Sequence, residues 1–296
     1  MNSGYRSTLA DMGREIGPAM MRDVHALYDE AQRDLANRYP ATETDVAYGP
    51  DPRQVMDLYR PSSTLGAGVP VLIFVHGGGF RRGAKRNPSH PFEAHMGSFA
   101  ATHGMLGVVV NYRLAPDHVF PAGGEDVGLA VDWLREHAAA RGGDPDRIVV
   151  IGTSAGAAHI ATLLQIRASV PIAGAVLLSG LYGIEPYVDA ERDLLYYGVD
   201  PAGHAATVSA DALARTDTPL FVLCAEYDPP RFQAEFIGLL ARFAALGRPL
   251  PPAMVAADHN HFSLAMHMGT QDTRVADAVL RFIDDRCAPI TTGQTA

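Results

Sequence analysis

The sequence predicts an α/β fold in which a mostly parallel central sheet is covered by helices on both faces. Three observations predict it. Five short apolar runs, at 69–78, 107–113, 147–154, 172–180 and 219–228, are rich in Val, Ile and Leu without alternation, as strands covered on both faces must be. Helical patterns separate them, and strand–helix–strand repetition implies right-handed crossovers into a parallel sheet. With 296 residues, 47% of them hydrophobic, the chain can furnish the core of one large domain.

Residues 19–39, "AMMRDVHALYDEAQRDLANRY", read as a helix with no strand before it. Its Met, Val and Leu stripe suits packing more than membrane binding, because the other face carries both signs of charge. "TDVAYG" and "QVMDLYR" follow as an opening antiparallel pair. Between the second and third apolar runs, "EDVGLAVDWLREHAAARGG" is a helix stopped by Gly142 and Gly143. The 147–154 strand leads into an alanine-rich helix from residue 155. Residues 181–215 are longer than an ordinary connection and hold Tyr182, Tyr187, Tyr196 and Tyr197 among helix-like fragments, which marks a lid. "RFQAEFIGLLARFAALG" is a helix ending at Gly247, "AMVAA" a last strand and "TRVADAVLRFIDDRC" a closing amphipathic helix. The domain expectation is an N-terminal helical cap segment at 1–44, core at 45–180, a cap insertion at 181–215, core again at 216–287 and a flexible tail at 288–296.

Net charge is −9, and no long basic run is present, so nucleic acid and anionic membranes are poor partners. The two cysteines, Cys224 and Cys287, have no metal-ligand spacing and read as buried free thiols of a reducing compartment. The first residues lack the apolar core of a signal peptide, and no stretch approaches the roughly 20 apolar residues of a membrane span. A cytoplasmic protein needing no metal or cofactor is the expectation.

Gly152-Thr153-Ser154-Ala155-Gly156 fits G-x-S-x-G between a strand and a helix, the setting of a nucleophile elbow. Such a serine can also merely cap a helix, so the chemistry needs partners. A serine hydroxyl is a weak nucleophile that requires a base, an acid to orient the base, and donors for the oxyanion. Asp228, at the carboxyl end of a strand, is the acid, with Glu226 in reserve; active sites of open α/β sheets form at that edge. His261 and His259 follow the last strand. His261 is the preferred base, since Phe262 beside it can anchor the loop, and His259 is the alternative. In "HGGGF", 76–80, three glycines allow the backbone to approach a substrate, so Gly78 and Gly79 would donate to the oxyanion with the Ala155 N–H as third donor. The four requirements are met in the order Ser154, Asp228, His261, and Ser154 is read as a nucleophile.

With "HGGGF", "NYRLAPDHVFPAGGEDV" (111–127), "GTSAG" (152–156), "EYDPPR" (226–231) and "HNHF" (259–262), the chain resembles the bacterial hormone-sensitive-lipase-like carboxylesterases over roughly residues 45–287. The resemblance implies an α/β-hydrolase fold with a small helical cap, built from the N-terminal helix and the 181–215 insertion. It implies hydrolysis of short- to medium-chain carboxylic esters through an acyl-enzyme, without a metal. "YRLAP" and "FPA" are structural under that resemblance. Phe80, Tyr182, Tyr187 and Tyr197 are candidate substrate-binding residues, and the last strand and helix could pair in a homodimer.

Two alternatives stand beside it. The doubled histidine also resembles kynurenine-formamidase-like amidases, although Gly79 favours an esterase. Arg81, Arg82, Lys85 and Arg86 follow the oxyanion loop and could select a negatively charged ester, or simply be a solvated surface.

Overall fold

Val, Ile and Leu fill both sides of the central strands, and each apolar run is buried as a strand. The computed structural model describes residues 8–61, 68–167, 169–184, 191–198 and 201–288. Among them, β1 Glu43–Ala47, β2 Val55–Tyr59, β3 Val69–Val75, β4 Leu106–Val110, β5 Gly143–Thr153, β6 Gly174–Leu178, β7 Leu220–Tyr227 and β8 Ala253–Asn260 form one sheet. Their order is β1-β2-β4-β3-β5-β6-β7-β8. The β1–β2 and β2–β4 pairs are antiparallel, and every later pair is parallel. This is the mostly parallel, doubly covered sheet that the sequence predicts.

The helices are α1 Pro18–Arg38, α2 His95–Thr102, α3 Ala122–His137, α4 Ala155–Ile166, α5 Glu191–Tyr197, α6 Pro201–His204, α7 Ala210–Arg215, α8 Pro230–Ala245, α9 Ser263–Met266 and α10 Arg274–Cys287. Strand periodicity sorts the core into two layers. Val71, Ile73 and Val75 of β3 face Val131, Ile160, Leu213 and Leu239 of α3, α4, α7 and α8. Leu72 and Phe74 face the other way, towards Phe99 of α2 and Val279 and Ile283 of α10. The expected glycine stop of α3 comes after a short 3₁₀ turn, with Gly142 at φ 84°.

The described helices outside the sheet layers pack in two places. α1 packs Met20, Val24 and Tyr28 against Phe92 and Met266, beside the turn after β8. α5 lays Tyr196 and Tyr197 on Phe80, where Ile16 of the N-terminal segment also packs. α7, in contrast, is core: Ala210, Leu213 and Ala214 are fully buried in the layer under α8. Tyr187 and residues 289–296 lie outside the described residues. Cys224 and Cys287 are buried free thiols.

The basic run after the oxyanion loop is not a uniform surface. Arg81 and Arg82 are exposed, but Lys85 is only 2% exposed. Its Nζ donates to Asp57 Oδ1 at 2.6 Å and to Asp45 Oδ1 at 2.7 Å, and Arg86 binds the same two carboxylates. Two of the four cations thus hold the loop to β1 and β2, because an unpaired ammonium could not be buried there. No described helix is long and apolar enough to cross a membrane.

Candidate active site

Ser154 lies between β5 and α4 at φ 54°, ψ −118°, a conformation that costs a side-chain-bearing residue on the order of 1–3 kcal/mol. Close approach imposes it. A Cβ on Gly152 would lie 2.6 Å from Gly156 C, and one on Gly156 would lie 2.1 Å from Val75 O. Both glycines of the motif are therefore steric requirements. The Ser154 N–H donates to Leu178 O at 2.8 Å, which fixes the turn to β6.

The oxyanion loop rests against this turn: a Cβ on Gly77 would come 3.4 Å from Ser154 Cβ. Gly78 has φ 133°, Gly79 φ 60° and Phe80 φ 66°. Tyr112 holds the loop from beneath, its ring stacked 4.4 Å from His76 and its hydroxyl donating to His76 O at 2.8 Å. The Ala115 N–H donates to Phe80 O at 2.9 Å, so "YRLAP" serves the loop structurally. Burial pushes the His76 imidazole down to about 4, leaving it neutral beneath the glycines. Among the described residues, no acceptor takes the N–H of Gly78, Gly79 or Ala155. Those are the three amides expected to serve the oxyanion.

Asp228 and His261 meet at the same sheet edge, where Asp228 Oδ1 lies 2.7 Å from His261 Nδ1. Asp228 is fully buried and His261 is 4% exposed. Burial opposes ionisation of Asp228. The bonds from His261, the Ser179 hydroxyl and the Ala225 N–H outweigh it, and hold the carboxyl below the usual carboxylate range. The Cys224 thiol also faces Asp228 Oδ2, at 3.2 Å. Phe232 bridges towards the serine: its ring lies 4.4 Å from that of His261 and shares a cluster with Ala155 and Phe80. No hydrogen bond joins Ser154 Oγ to His261 among the described contacts; such bonds are commonly long without substrate and tighten on binding.

The alternatives face elsewhere. His259 Nδ1 lies 3.1 Å from Ser263 Oγ, and its Nε2 faces Asp272. Glu226 Oε2 accepts the Asp258 N–H at 2.7 Å.

Of the candidate pocket residues, Phe80 and Tyr197 come together, with ring centroids 5.3 Å apart. Tyr196 stacks on Phe80 at 4.4 Å and its hydroxyl meets His159 Nδ1 at 3.2 Å, so His159 ties α4 to the cap. Tyr182 is a correction. It is 2% exposed in the main core, and its backbone is held by Glu235 and by the amides of Ser209 and Ala210. Its ring belongs to the main core cluster and not to the cluster of Phe80, Tyr196 and Tyr197.

Several supporting residues escaped the sequence reading. Ser179, at the end of β6, orients Asp228. Gln32 of α1, fully buried, donates to Met266 O at 2.7 Å and Met268 O at 2.9 Å, bracing the turn that carries His261. Asn260 caps that turn through its side-chain oxygen, which accepts the N–H of Phe262 and Ser263. A periodic helix and a lone serine give no local sign of such roles.

The family model described as BD-FAE matches residues 56–172. Esterase LipQ of Mycobacterium tuberculosis is 37% identical over 164 residues, 55% of this chain and 36% of that protein. Carboxylesterase NlhH of the same organism is 40% identical over 102 residues, 34% of this chain and 31% of that protein. The chain thus spans about a third of the length of the curated relatives it matches. Among solved structures, esterase Est22 aligns with a TM-score of 0.70 at 18% identity, covering 96% of this chain and 92% of that one. An esterase of Pyrobaculum calidifontis aligns at 0.65 and 22% identity, covering 97% and 100%.

Proposed function

We propose that this chain, a member of the α/β-hydrolase superfamily similar in sequence to hormone-sensitive-lipase-like esterases, is a serine carboxylesterase for short- to medium-chain carboxylic esters. The observation that carries the reading is the 2.7 Å Asp228–His261 bond at the sheet edge where Ser154 sits strained and exposed to a glycine-rich loop.

In this reading His261 takes the Ser154 proton as Oγ attacks the ester carbonyl. Asp228 fixes the imidazole through Nδ1 and stabilises the imidazolium. The N–H groups of Gly78, Gly79 and Ala155 receive the negative oxygen, each such donor being worth roughly 2.7–4 kcal/mol. His261 then protonates the departing alcohol, and water, activated by the same imidazole, releases the acid. Phe80, Tyr196, Tyr197 and Phe232 are the apolar walls near the acyl group. The free thiols suit a cytoplasmic setting, and the exposed edge strand β8, with Val255 55% exposed, is where a homodimer would form. The charged-ester reading loses support, because Lys85 and Arg86 are neutralised by Asp45 and Asp57.

Hydrolysis of p-nitrophenyl acetate, butyrate, octanoate and laurate by wild type and Ser154→Ala tests the proposal, with N-formylkynurenine alongside. The expected result is a maximum at acetate or butyrate and a loss on the order of 10⁶-fold in the variant. Unchanged ester turnover in Ser154→Ala, or turnover of the formamide alone, overturns it.

A further inference from the structure

The turn that carries His261 holds three further donor groups that ester hydrolysis does not use. His259 and His267 are fully buried and Asp272 is 6% exposed. The two imidazoles lie 4.2 Å apart. One donor atom from each of the three residues falls within 4.8 Å of the others, and His259 Nε2 is 3.2 Å from Asp272 Oδ2.

The hydrogen bonds behind these groups fix which atoms face inward. His267 Nδ1 lies 2.7 Å from Ser263 O, and a carbonyl only accepts, so the ring hydrogen is on Nδ1 and Nε2 keeps its lone pair. The Ser263 hydroxyl donates to Asn260 O at 3.2 Å and accepts the Asn260 N–H at 2.9 Å. Its oxygen also meets His259 Nδ1 at 3.1 Å, and with the ring hydrogen on that nitrogen His259 Nε2 turns a lone pair towards Asp272. In that tautomer two Nε2 lone pairs and a carboxylate converge in a buried space. His267 Nε2 has no hydrogen-bond partner among the described residues, and His259 Nε2 has only Asp272 Oδ2 beside it, 3.2 Å away. Acceptors facing one another away from water are costly unless a positive charge joins them. Histidines whose outer nitrogen is anchored to a carbonyl or hydroxyl are the usual arrangement behind a metal ligand.

We propose that His259 Nε2, His267 Nε2 and a carboxylate oxygen of Asp272 bind one divalent transition-metal ion, for which zinc is the best match. Two imidazoles and a carboxylate are a zinc donor set, and metal–ligand bonds of about 2.0–2.2 Å require the donors to close by roughly an ångström. Arg274 holds both carboxylate oxygens, Nε to Oδ1 at 3.2 Å and Nη2 to Oδ2 at 3.4 Å, so the ion would share Oδ2 with the guanidinium, whose charge weakens the site. The ion ties the end of β8 to the segment after α9. It acts as a clamp on the loop carrying His261 and touches no substrate.

Chelator-treated protein is titrated with cobalt(II), read by visible absorption, and with zinc, read by calorimetry and by melting temperature. Wild type is compared with His267→Gln and Asp272→Asn. One equivalent is expected to bind wild type and raise its melting temperature, with affinity at least about tenfold weaker in each variant. No saturable binding by wild type, or equal binding by both folded variants, overturns the proposal. X-ray absorption of the one-to-one zinc complex of wild type serves if a variant does not fold. Two imidazoles with oxygen ligands support the site, and any other set overturns it. The outcome is independent of whether Ser154 is the nucleophile.

Discussion

The turn after β5 and the turn after β8 deliver the proposed nucleophile and base to the same sheet edge, yet opposite means hold them. Around Ser154 the backbone is pressed into shape by contacts that leave no space for a Cβ at Gly152 or Gly156. Around His261 the backbone is suspended from buried side chains: the Asn260 amide, the Ser263 hydroxyl and, from the far end of the chain, the Gln32 amide. A turn held by close approach fails when an atom is added. A turn held by hydrogen bonds fails when a partner is taken away.

After loss of the Ser154 hydroxyl itself, the largest expected effect comes from disabling the hydrogen-bonded turn's imidazole. Asp228→Asn should lower kcat for p-nitrophenyl butyrate by about 10⁴-fold, by favouring the wrong tautomer of His261 while keeping its shape. A fall of less than about tenfold would detach Asp228 from the reaction. Next comes addition to the compressed turn. Gly156→Ala should cost about 3 kcal/mol or more in urea unfolding, since the new methyl meets Val75 O, a backbone atom that cannot swing away. A cost under about 1 kcal/mol would mean that contact does not hold the turn.

Removal from the suspended turn is a smaller effect. Gln32→Leu has similar volume and strands two carbonyls, so it should destabilise by about 1–3 kcal/mol and lower kcat more than it changes KM. An equally stable and active variant would collapse the contrast between the turns.

At neutral pH the smallest effect is a slope. Burial lowers the imidazoles of His76 and His95 to about 4 and that of His159 to about 3. Unfolding releases each to its ordinary value near 6.5, so below that pH the unfolded chain binds more protons. Stability is therefore full above about pH 6.5 and is lost as pH falls towards 4. His159→Phe, which keeps an aromatic ring beside Phe80 and Tyr112, should reduce that slope by about 1.4 kcal/mol per pH unit. Melting temperatures across pH 4–7 would show it, and an unchanged slope would mean His159 is protonated in the fold.

What was legible in the sequence follows the same division. Sterics leave marks at short range: the glycines of "HGGGF" and "GTSAG" announce their turns, and unbroken Val and Ile runs announce buried strands. Hydrogen bonds between distant segments leave none. Gln32 and Met266 are 234 positions apart, and Ser179 and Asp228 are 49 apart, so nothing around Gln32 or Ser179 signals a partner. α2 escaped because "HMGSFAAT" has a weak helical stripe, and Gly97 is there to let the helix approach Tyr59. Tyr182 was misplaced because an aromatic residue in a long insertion looks the same in sequence whether it points to a lid or to a core.

The pairing of Lys85 and Arg86 with Asp45 and Asp57 has a bearing on how small this protein can be made. Every proposed catalytic group lies on or after β3, so a shortened protein beginning there would retain all of them on paper. It would also leave Lys85 a buried cation without its counter-charges, a loss that in buried pairs runs to about 3–5 kcal/mol. The segment would have to leave its berth, taking the neighbouring Gly78 and Gly79 out of alignment with Ser154. The two antiparallel edge strands act as a foundation poured outside the walls, and the minimal working unit begins before its first reacting residue.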